Sequence, residues 1–318
     1  MGVERQEPRH PEVPSTRIIK ALDRVSATGQ RPSAIFDDWL ELAEATLDML
    51  PAHFKSAITT GHLAHDSPEA AQVWDKVRSR YPGQEWVFER FSEAFGGLLE
   101  GASLPDGTPS YQDIVGDVYM EWGRPSRSTG QFFTPWPVAR LMAEMMGDGG
   151  QEVHARLKAA IDQSPLAQAH LLAGLALEGE EAGRWFMEKV VPSALAHYQP
   201  VTVLDPCIGS GILLLAHAST LPTWMVQLGL VQYYGCDIDP TCVRMARINC
   251  KLYGLNGHHL KYALELSPEE LAALPQHFAD AYTQAQQAQA SGDAETVAQI
   301  AADLRAEAYR QLPMFPEE

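Results

Sequence analysis

Two acids and two glycines in the second half of the chain have the types and spacing of a ligand site. Asp205 closes the short β-branched run Pro200-Val201-Thr202-Val203-Leu204, and Pro206-Cys207-Ile208-Gly209-Ser210-Gly211 follows as a glycine-rich turn opening a helix over 212–218. Gly209 and Gly211 let the backbone approach a ligand, and the new helix N-terminus offers free N–H groups. Asp205, at the carboxyl end of a strand, suits a cation or a hydrogen-bond donor rather than a phosphate. A second strand, 231–237, ends in Asp237, where nucleotide-binding α/β folds hold ribose hydroxyls. A glycine-rich turn by itself also serves as a plain strand-to-helix corner; the two strand-end acids favour the ligand reading. Strand, glycine turn, helix, strand, acid is the first half of a doubly wound sheet.

The rest of the chain must position that unit. Residues 1–32 are rich in Pro, Arg and Glu and read as a flexible arm, with a helical domain at 33–125. There Ser33 is placed to cap a helix carrying Phe36, Leu40, Leu42, Ala43, Leu47 and Leu50 and ending at Pro51. Helices follow at 70–80 and 86–99, their aromatics at core spacing, then a turn cluster at 104–109 and a helix at 111–120. An α/β domain spans 126–266 with a helical insert at 147–198. In it Thr134 reads as the N-cap of a helix bearing Trp136, Val138, Leu141, Met142 and Met145. A helix over 241–253 and a third strand over 258–266 precede a helical tail, 267–318, broken at Ser291-Gly292-Asp293.

The 318 residues suffice for one large domain or two of ordinary size. With 45 % hydrophobic and 20 % charged residues, the composition is globular and excludes fibrous and disordered classes. No apolar run approaches bilayer length and the N-terminus lacks a secretory h-region, so the expected location is the cytoplasm, with no membrane partner. Lys and Arg number 24 against 41 Asp and Glu, a net charge of −17. Such a molecule repels a phosphate backbone, and any DNA contact is expected through a partner. Cys207, Cys236, Cys242 and Cys250 form no CxxC pair and have no His at ligand spacing, so neither a metal nor a disulfide framework is expected.

Three motifs in order carry a resemblance. Gly130-Gln131-Phe132-Phe133-Thr134-Pro135, the run Val203 to Gly211, and Tyr234-Gly235-Cys236-Asp237-Ile238-Asp239-Pro240 with Ala246-Arg247-Ile248-Asn249 closely resemble adenine-N6 DNA methyltransferases of the type I restriction-modification modification-subunit kind. The resemblance covers roughly residues 110–260 and implies a Rossmann-like methyltransferase domain with S-adenosylmethionine as cofactor. It lays Gln131, Phe132, Phe133 and Thr134 over the methionine part, sets Asp205 by the amino group, makes Gly209, Ser210 and Gly211 the floor, and counts Pro206 among the cofactor-binding residues. Asp237, in place of the family's usual Glu, would hold the ribose, and Ile238 would pack on the adenine.

The resemblance then stops. The family's catalytic tetrapeptide, Asn or Asp followed by Pro-Pro and an aromatic, appears nowhere in the 318 residues. Its role is to accept hydrogen bonds from the target amine and to stack on the flipped base. Tyr262-Ala263-Leu264-Glu265-Leu266 stands where a Gly-Asp step is typical, and the stretch beyond reads as helical, leaving no run for the remaining strands. No catalytic residue is therefore assigned. The expected function is a cofactor-binding subunit or degenerate relative that works with a specificity or catalysis-completing subunit. The alternatives are an active methyltransferase with a displaced or partner-supplied acceptor site, and a non-enzymatic interaction module. Gln311, Leu312, Met314 and Phe315 also resemble the pentapeptide by which bacterial proteins dock on the replication sliding clamp.

Overall fold

The computed structural model describes residues 13–123, 133–255, 259–262 and 276–291, with 293, 296, 299 and 300. The chain divides into two compact units, Met1–Ser128 and Thr129–Glu318.

The first unit is helical. Helix α1, Pro14–Val25, buries Ile18, Ala21, Leu22 and Val25, one stripe at helical spacing. This corrects the reading of 1–32 as an arm: the stripe is visible in the sequence, but the flanking Pro and Arg residues obscured it. Helix α1 packs on α4, Trp86–Gly101. The fit is close because Gly101 has no side chain; a Cβ there would lie 2.7 Å from Pro14 and Ile114.

Helix α2, Pro32–Thr60, begins at Arg31 rather than at a Ser33 cap and continues through Pro51. It stops where Gly61 turns left-handed, φ 75°, and returns its N–H to the Ala57 carbonyl. Pro51 removes one helical bond without ending the helix; the αL glycine is the stop signal. Helix α3, Pro68–Arg78, is capped by Ser67. Buried Asp38 of α2 accepts from the Tyr81 hydroxyl at 2.7 Å and pairs with Arg80. Burial pushes the Tyr81 hydroxyl up to about 12. The helix expected over 111–120 is shorter: α5, Ile114–Val118, is capped by Asp113 and runs into a π turn at Tyr119–Gly123.

In the second unit α6, Trp136–Met146, packs on α11, Ile212–Ser219. Ala139 and Ala143 of α6 meet Ala216 of α11 with Trp136, Ile212 and Leu213 around them. Small side chains at the crossing let the two helices sit close together. The N-cap of α6 is Pro135, with no side-chain cap, so Thr134 does not take the capping role expected of it. Between these helices lie α7, Gln151–Gln163, α8, Pro165–Gly174, α9, Gly179–Trp185, and α10, Val191–Ala194. Residues 147–198 are thus largely helical, as expected.

Three parallel strands form the sheet in the order β1-β2-β3: Val201–Asp205, Val231–Asp237 and His259–Tyr262. The register pairs Asp205 with Gly235, and Asp237 with Tyr262. Helix α11 follows β1. The short α12, Thr223–Gln227, which the sequence reading missed, precedes β2. Helix α13, Pro240–Leu252, follows β2, and α14, Gln276–Ala290, lies beyond β3. The chain is mostly helical with a small parallel sheet. The strand proposed over 258–266 is described only at 259–262.

Candidate cofactor site

The site forms where β1 and β2 end side by side. The backbone turns sharply after Asp205: Gly209 has φ 53° and Gly211 φ 88°, conformations that L side chains adopt only with strain. Gly211 is the N-cap residue of α11 and offers no side-chain cap. The first amides of that helix have no partner within the helix. Gly211 also lets α13 approach, with the Ala246 Cβ 3.3 Å from where a Gly211 Cβ would stand.

Side-chain hydrogen bonds hold the turn. The Cys207 amide donates to Asp205 Oδ1 at 3.0 Å. The Gly209 amide donates to Asp237 Oδ2 at 2.9 Å, while Asp237 Oδ1 accepts from Asp239 N at 3.0 Å. From α13, Asn249 Nδ2 donates to the Ser210 carbonyl at 2.8 Å. Asn249 is fully buried, so this bond works away from water. Gly235 of β2 completes the floor: a Cβ there would lie 2.5 Å from Ile208 Cδ1.

Asp205 is 8 % exposed and its Oδ2 is buried with no hydrogen-bond partner. Burial pushes its carboxyl up to about 6; the Cys207 amide pulls it back and the nearby charge of Asp237 adds to the rise. A buried acid with one satisfied and one orphaned oxygen is a binding position for a cation or a donor.

The structure brings the predicted residues together as follows. Phe133 lies against the turn, its Cε1 3.4 Å from where a Gly209 Cβ would stand. The segment ahead of α6 and the turn after β1 thus meet, although more than seventy positions separate them in sequence. Thr134 is buried, as are Gly209, Ser210, Gly211, Asp237 and Ile238, with Pro206 half-buried. Gln131 and Phe132 lie outside the described residues, as do Gln311, Leu312, Met314 and Phe315. Sequence reasoning does not find Asn249 as the clamp on Ser210. Among the described residues no cluster of His, Cys, Asp or Glu suits a metal, and no helix is long and apolar enough to cross a membrane.

The model of the N-6 DNA methylase family matches residues 170–273, from α8 through all three strands. The match spans about a third of the chain. The matched span includes the Asp205–Gly211 turn, Asp237 and Asn249, and lies wholly after Phe133 and Thr134. A search of curated proteins found no match. Among solved structures, the methyltransferase subunit of a type I restriction-modification system from Streptococcus thermophilus aligns at 13 % identity and a TM-score of 0.37. The alignment covers 80 % of this chain and 59 % of that subunit.

Proposed function

We propose that this N-6 DNA methylase family member binds S-adenosylmethionine at the β1–β2 strand ends and acts as a methyltransferase subunit whose acceptor-side tetrapeptide comes from elsewhere. The observation that carries this reading is the orphaned, buried Oδ2 of Asp205, set beside a positive-φ glycine turn against which Phe133 packs. The three parallel strands are read as the first half of a doubly wound, Rossmann-like sheet.

The residues present fit the cofactor. Asp205 Oδ2 would accept from its amino group, a charge-assisted bond that removes the cost of the unpaired acid. The floor would come from Gly209, Ser210 and Gly211, with Phe133 and Thr134 above. Asp237 already accepts two backbone amides. Asp237, a carboxylate with about four lone-pair sites, would also accept from the ribose hydroxyls, and Ile238 would supply an apolar side for the base. When bound, the cofactor supplies an activated methyl group. The chain's own contribution is to hold and orient it: Asp205 fixes one end, Asp237 ties the turn to β2, and Asn249 ties it to α13.

Nothing in the 318 residues matches the tetrapeptide that orients the target amine. A net charge of −17 also favours DNA contact through a partner, such as a specificity subunit. Calorimetric titration with S-adenosylmethionine and with its demethylated product tests the cofactor reading. Saturable binding that Asp205→Ala abolishes is the expected result. Absence of heat with either compound at millimolar concentration would reject it and leave a fold used only for contacts.

A further inference from the structure

The four thiols of the chain differ in access. Cys236, Cys242 and Cys250 are buried, and burial pushes the Cys250 thiol up to about 12. Cys207 is half-buried, so among the four it is the one that a dissolved reagent reaches. Its place is fixed by the turn. The Cys207 amide donates to Asp205 Oδ1 at 3.0 Å, and two residues further on the Gly209 amide is tied to Asp237.

A second, independent observation puts a ligand at the same place. The carboxylate that accepts from Cys207 has its other oxygen, Oδ2, buried and without a hydrogen-bond partner. Asp205 is 8 % exposed, and an orphaned buried acid calls for a donor. Because Oδ1 is turned to residue 207, Oδ2 stands beside it on the same carboxyl carbon. A reachable nucleophile and an unsatisfied anionic acceptor thus adjoin, with only Pro206 between them in the chain.

The charge of the site selects the reagent. Asp237 lies near enough to Asp205 for its charge to raise that carboxyl. An anionic disulfide therefore meets two carboxylates, whereas one that carries an ammonium group brings Oδ2 the donor it lacks.

We propose that Cys207 is a modification site at which the disulfide of a small aminothiol exchanges, seating its ammonium on Asp205 and closing the turn to any other ligand. In that step the Cys207 thiolate attacks one sulfur of the disulfide. A new S–S bond forms to Cys207, the disulfide's own S–S bond breaks, and the departing aminothiolate takes up the proton that the Cys207 thiol released. Excess thiol reverses the exchange, so the block is a switch rather than a lesion. The modification needs only Cys207 and Asp205; that it excludes S-adenosylmethionine rests on the cofactor reading.

Cystamine, an aminothiol disulfide, and hydroxyethyl disulfide, its neutral counterpart, test the site on the full chain by intact mass and peptide mapping. The ratio of their rates in the urea-unfolded chain corrects for the two leaving groups. In the folded chain one adduct should form, at Cys207. The ratio should favour cystamine by about tenfold over its unfolded value, the worth of one hydrogen bond to a charged group. Asp205→Asn should return the ratio to the unfolded value while remaining folded, as its urea midpoint reports, and Cys207→Ser should take no rapid adduct. First modification at Cys236, Cys242 or Cys250 would overturn the proposal, as would a folded ratio equal to the unfolded one or unchanged in Asp205→Asn.

Calorimetry separates the modification from the cofactor reading. The cystamine-treated chain should bind no S-adenosylmethionine until a thiol reductant restores it, and bound S-adenosylmethionine should slow the exchange. An adduct at Cys207 that leaves cofactor binding unaltered would overturn the switch and keep the cofactor reading. An unmodified chain that binds no S-adenosylmethionine would remove the cofactor reading and leave the modification site to be decided by the rate ratio.

Discussion

The acid that ends β2 is also the anchor of the turn that follows β1: the Gly209 amide donates to Asp237 Oδ2 across 2.9 Å. One carboxylate thus couples the two strand ends, and its other oxygen fixes the Asp239 amide at the start of α13. An Asp is one methylene shorter than the Glu usual at this place in the resembling family, which keeps its carboxylate close to the backbone turn. The residue assigned to the ribose therefore has a structural role before any ligand arrives.

Removing that carboxylate should cost stability as well as affinity. Asp237→Ala leaves the Gly209 and Asp239 amides without their acceptor, at about 1–3 kcal/mol for each buried donor. Asp237→Asn retains one acceptor oxygen and should lose less. Urea unfolding measures the difference, and an Asp237→Ala midpoint equal to that of the unaltered chain would show that the bridge carries no weight.

The site was more legible in the sequence than the helical scaffold around it. Strand-end acids and paired glycines leave a local signature because backbone geometry demands those residue types, so β2 was read at its observed bounds and β1 within a residue. Asn249 was not legible as a clamp, since its partner is a carbonyl thirty-nine positions away and a carbonyl carries no residue identity. The contact of Phe133 with the glycine turn is likewise tertiary. Pro51 misled because a proline costs a helix one bond and a kink but does not compel it to end when the following residues remain helical. Helix α1 was hidden by its neighbours' composition even though Ile18, Ala21, Leu22 and Val25 form a complete stripe.

Asp205 should make the unliganded protein less stable at neutral pH than at mild acidity. Its carboxyl sits at about 6 in the fold against 3.8 as the ordinary value. The folded state therefore binds more protons between those values, and this group's contribution to stability is present below about 4 and lost as pH rises through 6. The difference amounts to about 3 kcal/mol. Asp205→Asn keeps an acceptor for the Cys207 amide and removes the buried charge. It should unfold at higher urea than the unaltered chain at pH 7.5, with the two curves converging near pH 4. Equal midpoints at both pH values would contradict the unpaired carboxylate.

Two of the glycines with φ near +60° separate backbone strain from site chemistry. Gly209, φ 53°, faces Phe133, whereas Gly229, φ 67°, has nothing within 4 Å of where a Cβ would stand. Alanine at either should cost about 1–2 kcal/mol through the left-handed backbone alone. Only Gly209→Ala should also weaken S-adenosylmethionine, because only there does the Cβ enter the turn under Phe133. Equal cofactor affinities for the two variants would place the ligand away from Gly209.

Protonation of Asp205 should compete directly with the cofactor. Above pH 6 the carboxylate is charged and its Oδ2 accepts from the ligand's ammonium; below that pH a proton occupies the orphaned position and the charge assistance is lost. Affinity should therefore be flat from about pH 6.5 to 7.5 and fall by up to about tenfold per pH unit under 6, the slope of a single proton. Asp205→Asn should bind weakly with no slope in this range. The ligand's own α-carboxyl and α-amino groups titrate near 3.5 and 7.8, at or beyond the ends of the pH 5–7 window, so they do not supply the same break. Calorimetric titrations at half-unit steps from pH 5 to 7.5 measure it. A flat profile in the unaltered chain would assign the amino group to a partner other than Asp205, and would leave that buried oxygen to be satisfied by a different ligand.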